Sequence, residues 1–358
     1  MNNKAVIAMS GGVDSSVAAY IMKQRGFDCI GVTMKLFANE DIGISREHSC
    51  CSLDDVEDAR SVAYSLDMPY YVFNFSDRFE TDVIDRFIHA YENGITPNPC
   101  IDCNRYLKFD KLYMRAKELD RDYVVTGHYA RVEKDENGRF LLKKALDDTK
   151  DQSYVLYCLT QEQLSHTIFP LGEMRKSQAR EIAESQGFIN ARKADSQDIC
   201  FVQNGSYADF IEQYTGKNYP DGDFLDTNGN VIGRHKGVIR YTVGQRKGLG
   251  ISAPEPLYVK AVNPVSNTVT LSYNDGLYSS IVKAGDINLI SVPEIKGEMR
   301  VKAKVRYRHT EQWATVTQNG DTITAVFDEP QRAVTCGQAL VLYDGDIVVG
   351  GGTIIEVK

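Results

Sequence analysis

Ala5-Val-Ile-Ala-Met-Ser-Gly-Gly-Val-Asp-Ser-Ser16 decides how this chain folds at its start. The apolar run beginning at Ala5 stops at Ser10-Gly11-Gly12, and Val13, Val17 and Ile21 then recur at helical spacing. The pattern predicts a buried strand, a tight glycine turn and a helix. Glycines let the backbone approach an anion closely, and the first helical turn offers unpaired N–H groups and a favourable dipole. Ser10, Ser15 and Ser16 add hydroxyl donors, and Asp14 is placed to hold a metal ion, Mg²⁺, beside phosphate. No Gly-Lys-Ser/Thr closes the loop, which excludes the Walker pattern. The alternative is a plain glycine corner between strand and helix.

Outward from this stretch, strand and helix patterns alternate. Cys29-Ile-Gly-Val-Thr-Met34 is a compact apolar run, and Val56, Ala59, Ala63 and Leu66 mark a helix. Residues 70–75 read as a further strand. Phe79, Val83, Phe87 and Tyr91 form one helical face, and Leu112, Ala116 and Leu119 another. Tyr123-Val-Val-Thr-Gly-His128 returns to strand and stops at a glycine. This order implies an α/β fold whose parallel sheet carries ligands at the strands' carboxyl ends. Asn137-Gly138 predicts a hairpin between residues 129–134 and 139–144. A helix is predicted over 177–186, with Ser177 as N-cap and Gly187 ending it. From about residue 216 the helical period disappears, and short alternating runs predict one small β-rich unit over 216–273 and a barrel over 287–358.

The composition bounds the function. A chain of 358 residues has room for two or three domains, and 42% hydrophobic with 25% charged residues is ordinary for a globular protein. No apolar stretch reaches membrane-spanning length and residues 1–9 lack a signal peptide's cleavage region, so a cytoplasmic protein without a membrane partner is expected. The net charge of −8 argues against nucleic-acid binding driven by overall charge, but not against a local basic surface. Such a surface is present in Arg300-Val-Lys-Ala-Lys-Val-Arg-Tyr-Arg308, where every second residue is basic. On a strand all five charges share one face, and nine residues span roughly 30 Å, enough to follow several phosphates. Gly244-Gln-Arg-Lys-Gly-Leu-Gly250 adds flexible groups of the same sign.

Eight cysteines in a cytosolic chain point to redox, metal or catalytic chemistry wherever two are close. Thr96-Pro-Asn-Pro-Cys100-Ile-Asp-Cys103 puts a CxxC after a proline-stiffened segment. A redox pair is expected at a helix N-terminus, whereas here the helical pattern resumes only near Phe109. Zinc needs two further ligands, and no second CxxC or nearby His pair supplies them. Cys200, within Asp195-Ser-Gln-Asp-Ile-Cys-Phe-Val202, reads on its own more readily as an inert buried small side chain. Cys50-Cys51 is a weaker thiol pair.

Ser-Gly-Gly-x-Asp-Ser resembles the pyrophosphatase loop of ATP enzymes that cleave between the α and β phosphates. Taken with Thr-Pro-Asn-Pro and its cysteine, Thr-Gly-His-Tyr, Lys150-Asp-Gln-Ser-Tyr154, Asp-Ile-Cys-Phe, Thr-Val-Gly-Gln-Arg-Lys-Gly-Leu-Gly, Val-Arg-Tyr-Arg and Cys-Gly-Gln, the chain resembles the tRNA-specific 2-thiouridylases over nearly its whole length. The resemblance implies an N-terminal parallel-sheet domain of adenine-nucleotide α-hydrolase type over 1–210, a small central β-rich domain over 211–280 and a C-terminal β-barrel over 281–358. It implies ATP contacts at Ala8, Met9, Ser10, Gly11, Gly12, Val13, Asp14, Ser15, Met34 and Gly127. It gives Cys103 the role of nucleophile and Cys200 that of persulfide carrier, with tRNA contacts at His128, Lys150, Asp151, Gln152, Tyr307, Arg308 and Gln338. Alternation assigns Tyr307 to the apolar face, so its contact needs a twist or a strand end.

The implied reaction is ATP-dependent 2-thiolation of the wobble uridine of tRNA through an adenylated uridine, with release of AMP and pyrophosphate. Its partners are that tRNA and a sulfur donor such as a cysteine desulfurase or relay protein. One position departs from the family pattern: Cys100 stands where the common Asp-x-x-Cys motif has its acid. A soft ligand there predicts that Cys100, Cys103 and Cys200 hold a [4Fe–4S] cluster with one open iron.

Overall fold

The computed structural model describes residues 2–37, 53–195, 199–202 and 206–358; Cys50 and Cys51 lie outside them. The chain divides into two compact units, one of Met1–Val83, Pro99–Gln203 and Gly345–Gly350, the other of Ile84–Asn98, Asn204–Asp344 and Gly351–Lys358.

In the first unit the opening stretch forms strand β1 (Lys4–Ala8), a glycine turn and helix α1 (Val13–Gln24). Strands β2 (Asp28–Lys35) and β3 (Tyr70–Asn74) flank helix α2 (Leu53–Ser65). Strand β4 (Tyr123–Val125) lies on the other side of β1. The Asn137-Gly138 hairpin joins β5 (Arg131–Lys134) to β6 (Phe140–Lys143), with Gly138 at φ +84°. A short strand β7 (Thr167–Ile168), too brief to show a period, completes the sheet order β3-β2-β1-β4-β7. All its pairings are parallel, so β1 is central and reads as a continuous apolar run because both faces are covered. Ile7, Val17, Ala18, Met22, Ala59, Val62, Ala179 and Ala183 form one core. Each fully buried Ile or Val there contributes about 1.5–3 kcal/mol.

Two sequence expectations shift. The helix placed at 177–186 runs Lys176–Ser185, one residue earlier, and its N-cap is Arg175, two residues before Ser177. The helical segment placed near Phe109 starts at Pro99: a turn over Pro99–Asp102 continues as a π-helical stretch, Cys103–Lys111, and then as Leu112–Glu118. Proline suits the first helical turn because it lacks the N–H that would be unpaired there.

The second unit holds a helix, a small sheet and a barrel. The helix Tyr207–Thr215 is capped by Ser206, which exchanges hydrogen bonds with Asp209, and ends at Gly216 in a left-handed conformation. Strands β8 (Gly222–Leu225), β9 (Val231–His235), β10 (Tyr258–Asn263) and β11 (Thr268–Ser272) form a sheet in the order β10-β11-β8-β9. Its core is Phe224, Val238, Tyr241, Leu249, Val259, Val269 and Leu271. Strands β12 (Tyr278–Leu289), β13 (Glu298–Lys304), β14 (Gln312–Asn319), β15 (Thr322–Arg332), β16 (Ala339–Asp344) and β17 (Ile347–Val357) make the C-terminal barrel. The order is β12-β15-β14-β13-β16-β17, and β12 pairs with β17 to close it. Alternation fills it: Val301, Ala303, Ala314, Val316, Ile323, Ala325 and Phe327 are buried. Among the described residues no helix is long and apolar enough to cross a membrane.

Candidate functional site

The turn after β1 is built for a close approach. Gly11 has φ +74°, and a Cβ there would meet the Asp55 carbonyl oxygen at 2.4 Å. A Cβ on Gly127, past the end of β4, would lie 2.7 Å from the backbone of Asp14 and Ser15. Both glycines are therefore required by backbone packing in the protein itself. Ser15 Oγ donates to the Gly12 carbonyl at 3.0 Å and accepts from Ser10 N at 3.2 Å, which fixes the loop. The Thr33 hydroxyl donates to the Met9 carbonyl at 2.7 Å, so the next strand, which carries Met34, is tied to the same sheet end. Ala8, Met9, Ser10, Gly11, Gly12, Val13, Asp14, Ser15, Met34 and Gly127 thus gather at the carboxyl ends of adjacent strands. Asn190 was not singled out by the sequence pattern, yet its Nδ2 donates at 2.9 Å to both the Gly11 carbonyl and Ser16 Oγ.

Asp14 does not stand free for a metal ion. Lys176 Nζ donates to Oδ1 and Oδ2 of Asp14, both at 2.8 Å, and the Tyr129 hydroxyl donates to Oδ1 at 2.8 Å. Burial and the adjacent Asp14 carboxylate push the Tyr129 hydroxyl above its ordinary range, so it stays a donor. A lysine thus neutralises the carboxylate. In the free chain Asp14, the expected Mg²⁺ ligand, is ion-paired with Lys176. Lys176 carried no motif signal, because its partner is 162 residues away.

Lys176 also pairs with Asp195 at 2.7 Å, as do Lys150 at 2.8 Å and Arg180 at 3.1 Å. Burial alone would raise the Asp195 carboxyl, but hydrogen bonds and charge from Lys150 and Lys176 bring it to about 2. Asp151 Oδ1 accepts from Ala145 N and Ser153 N, and Gln152 Oε1 accepts from Tyr129 N at 3.0 Å. Residues 150–152 are therefore wired to the residues around the glycine loop. His128 is buried, its Nδ1 2.7 Å from the Thr126 hydroxyl and its ring packed on Phe109 and Phe169. Burial and then Lys108 hold its pKa well below 6.5, so it is neutral and withdrawn from solvent, not an exposed RNA contact.

The three cysteines of the expected cluster differ in exposure. Cys100 is exposed on the first helical turn, whereas Cys103, one turn on, is buried. Burial raises the Cys103 thiol above its ordinary range, outweighing Lys108, so it rests protonated. Cys200 is half-buried beside Phe201, whose ring packs on Phe79 at 5.7 Å between centroids. Among the described residues no group of three His, Cys, Asp or Glu is placed to bind metal. Cys29 and Cys158 are buried, and burial raises both thiols, to about 11 and about 12, as inert core residues require.

In the second unit the basic strand is shorter than its pattern. β13 stops at Lys304, so Arg300, Lys302 and Lys304 lie on it and Arg306 does not. The Arg306 guanidinium is turned inward onto the carbonyls of Ala333 and Val243 and the Thr335 hydroxyl, and holds loops together. Arg300 pairs with Asp328, so the outer face mixes signs. The strand end leaves Tyr307 and Arg308 exposed. Gln338 Nε2 is engaged with the carbonyls of Thr96 and Pro97.

The family model described as "tRNA methyl transferase HUP domain" matches residues 3–204. Its companions, a "tRNA methyl transferase PRC-barrel domain" and an "Aminomethyltransferase beta-barrel domain", match 208–273 and 279–354. A tRNA-specific 2-thiouridylase MnmA of Clostridioides difficile is 52% identical over 99% of this chain and 98% of its own length. One of Lachnoclostridium phytofermentans is 52% identical over 99% of both. Identity this high across all three segments shows that the chain belongs to the tRNA-specific 2-thiouridylases, a family of tRNA-uridine sulfurtransferases.

Proposed function

We propose that the protein replaces the C2 oxygen of the wobble uridine of tRNA with sulfur, using ATP and releasing AMP and pyrophosphate. Full-length identity to the Clostridioides difficile 2-thiouridylase carries this reading. A pyrimidine carbonyl oxygen is a poor leaving group and AMP a good one, which gives ATP its role. On this reading Ala8 to Ser15, Met34 and Gly127 hold the nucleotide, and uridine O2 attacks the α-phosphorus. The Pα–O bond to pyrophosphate breaks and the uridine N3 proton passes to water.

Sulfur arrives as a persulfide on Cys200, supplied by a cysteine desulfurase or relay protein. Its terminal sulfur attacks C2 and AMP leaves with the original oxygen. The Cys103 thiolate then attacks Cys200 Sγ, the S–S bond breaks toward the base, and the thiocarbonyl forms. A Cys103–Cys200 disulfide remains, which a thiol reductant reopens. Because burial holds Cys103 protonated, the attack requires proton removal as the substrate enters. In this scheme Lys150, Asp151 and Gln152, and separately Tyr307, Arg308 and Gln338, contact tRNA, with His128 supporting from the core, and the enzyme works in the cytoplasm. The three segments 1–210, 211–280 and 281–358 divide the labour between chemistry and docking.

The test is mass spectrometry of tRNA nucleosides after incubation with ATP and a persulfide source. Conversion of the wobble uridine to its 2-thio form is expected. A methylated nucleoside instead, as the matching family description names, would overturn the reading.

A further inference from the structure

Asp14 is already occupied by a cation of the protein's own. Lys176 stands at the N-terminus of the helix Lys176–Ser185, whose Ala179 and Ala183 share a core with Val17 and Ala18 of α1. That packing holds the lysine over the first turn of α1, where Asp14 lies. Its main-chain N–H is fixed as well, donating to Asp147 Oδ2 at 2.9 Å. The side chain is buried, and its ammonium spans Asp14 at 2.8 Å and Asp195 at 2.7 Å. A phosphate entering the loop would meet the Asp14 carboxylate in the first turn, the place where a helix favours a single anion. The entry of a second anion there requires a positive charge within reach of both. An ammonium with three rotatable donors on a four-carbon stem can exchange one carboxylate oxygen for a phosphate oxygen and keep its hold on the other partner.

We propose that Lys176 is a pyrophosphate-binding residue, which neutralises Asp14 in the free enzyme and transfers to the β-phosphate as the nucleotide binds. The assignment rests on the adenylation reading above and deepens it. As the Pα–O bond breaks, the electron pair goes to the pyrophosphate oxygen and the Lys176 ammonium neutralises the growing charge without giving up its proton. Asp195 then keeps the lysine in place, and through Lys150 links it to the segment 150–152.

The experiment is calorimetric titration of inorganic pyrophosphate and, separately, AMP into the full-length protein. Lys176→Gln should weaken pyrophosphate about 10–100-fold, the size of a lost charge-assisted hydrogen bond, and leave AMP unchanged. Lys176→Arg should keep more pyrophosphate affinity than Lys176→Gln. Asp14→Asn/Lys176→Gln, which removes both charges, should recover the melting temperature lost in Lys176→Gln but not the pyrophosphate affinity. Unchanged pyrophosphate binding in Lys176→Gln, or an equal loss for AMP, would overturn the proposal, as would recovery of pyrophosphate binding in the double variant. A wild type that binds pyrophosphate through Lys176 yet releases none when given ATP and tRNA would overturn the adenylation reading and leave this contact standing.

Discussion

Gln338 holds Thr96 from the barrel side of the second unit: its Nε2 donates to the Thr96 carbonyl at 2.9 Å and to that of Pro97 at 3.1 Å. Thr96 N donates in turn to the Cys336 carbonyl at 3.0 Å. Two residues after Pro97 the chain enters the helical turn that carries Cys100. Gly337 makes the close passage possible at φ +90°, where a Cβ would sit 2.2 Å from Ile95 Cγ2.

Gln338→Ala should lower unfolding stability by about 1–2 kcal/mol, the worth of two neutral hydrogen bonds. Gly337→Ala should cost more, because it adds both a clash and a strained backbone. Denaturant melts give the order, and hydrogen exchange at Thr96 should accelerate in both. Unchanged exchange in Gln338→Ala would mean that the amide does not restrain the segment.

Acid stability should carry the signature of His128. Its folded pKa lies well below 6.5, so the folded state binds fewer protons than the unfolded one on the acid side of that value. Stability is fully present above pH 6.5 and falls as pH drops from there toward the folded pKa. His235 and His309 are also lowered by burial and add to the slope. His128→Phe should flatten the melting temperature against pH below 6.5. An identical slope in the variant would assign the whole effect to the other two.

The two arginines at the end of the basic run should separate. Arg306→Ser removes the tie to Ala333 and Thr335 and should destabilise the fold by about 1–3 kcal/mol. Arg308→Ser should leave the melt unchanged but weaken tRNA binding and reduce its salt slope by about one counterion. If binding isotherms at several salt concentrations match wild type for Arg308→Ser, that side chain is no phosphate contact.

Cys103→Ala and Cys200→Ala should each abolish thiolation. Cys100→Ala should retain it, since nothing in the persulfide route uses an exposed thiol on the preceding turn. Iron-free protein should be active. Thiolation that tracks iron content and vanishes in Cys100→Ala would replace the persulfide route with a [4Fe–4S] cluster on Cys100, Cys103 and Cys200.

The glycine loop, the parallel sheet and the closed barrel were legible because each rests on local order: period two for strands, three to four for helices, glycine where the chain must turn. The loop residues and Gly127 followed, since adjacent parallel strands must bring their carboxyl ends together. Cys103 and Cys200 were marked by the family resemblance. The ionic state of the site was not legible. Lys176 meets Asp14 across 162 residues, and Asn190 meets Gly11 across 179, so no spacing rule reaches them. The basic alternation ran past the point where β13 ends, and only packing showed Arg306 turned inward. The helix at Pro99 escaped the pattern because a π-helical stretch breaks the 3.6-residue period. Sequence by itself determined which backbone elements form, because short-range sterics and alternating burial act within a few residues. Tertiary structure alone decided which charges face one another and which thiols stay protonated, because desolvation and Coulomb energy depend on distances that only the folded chain sets.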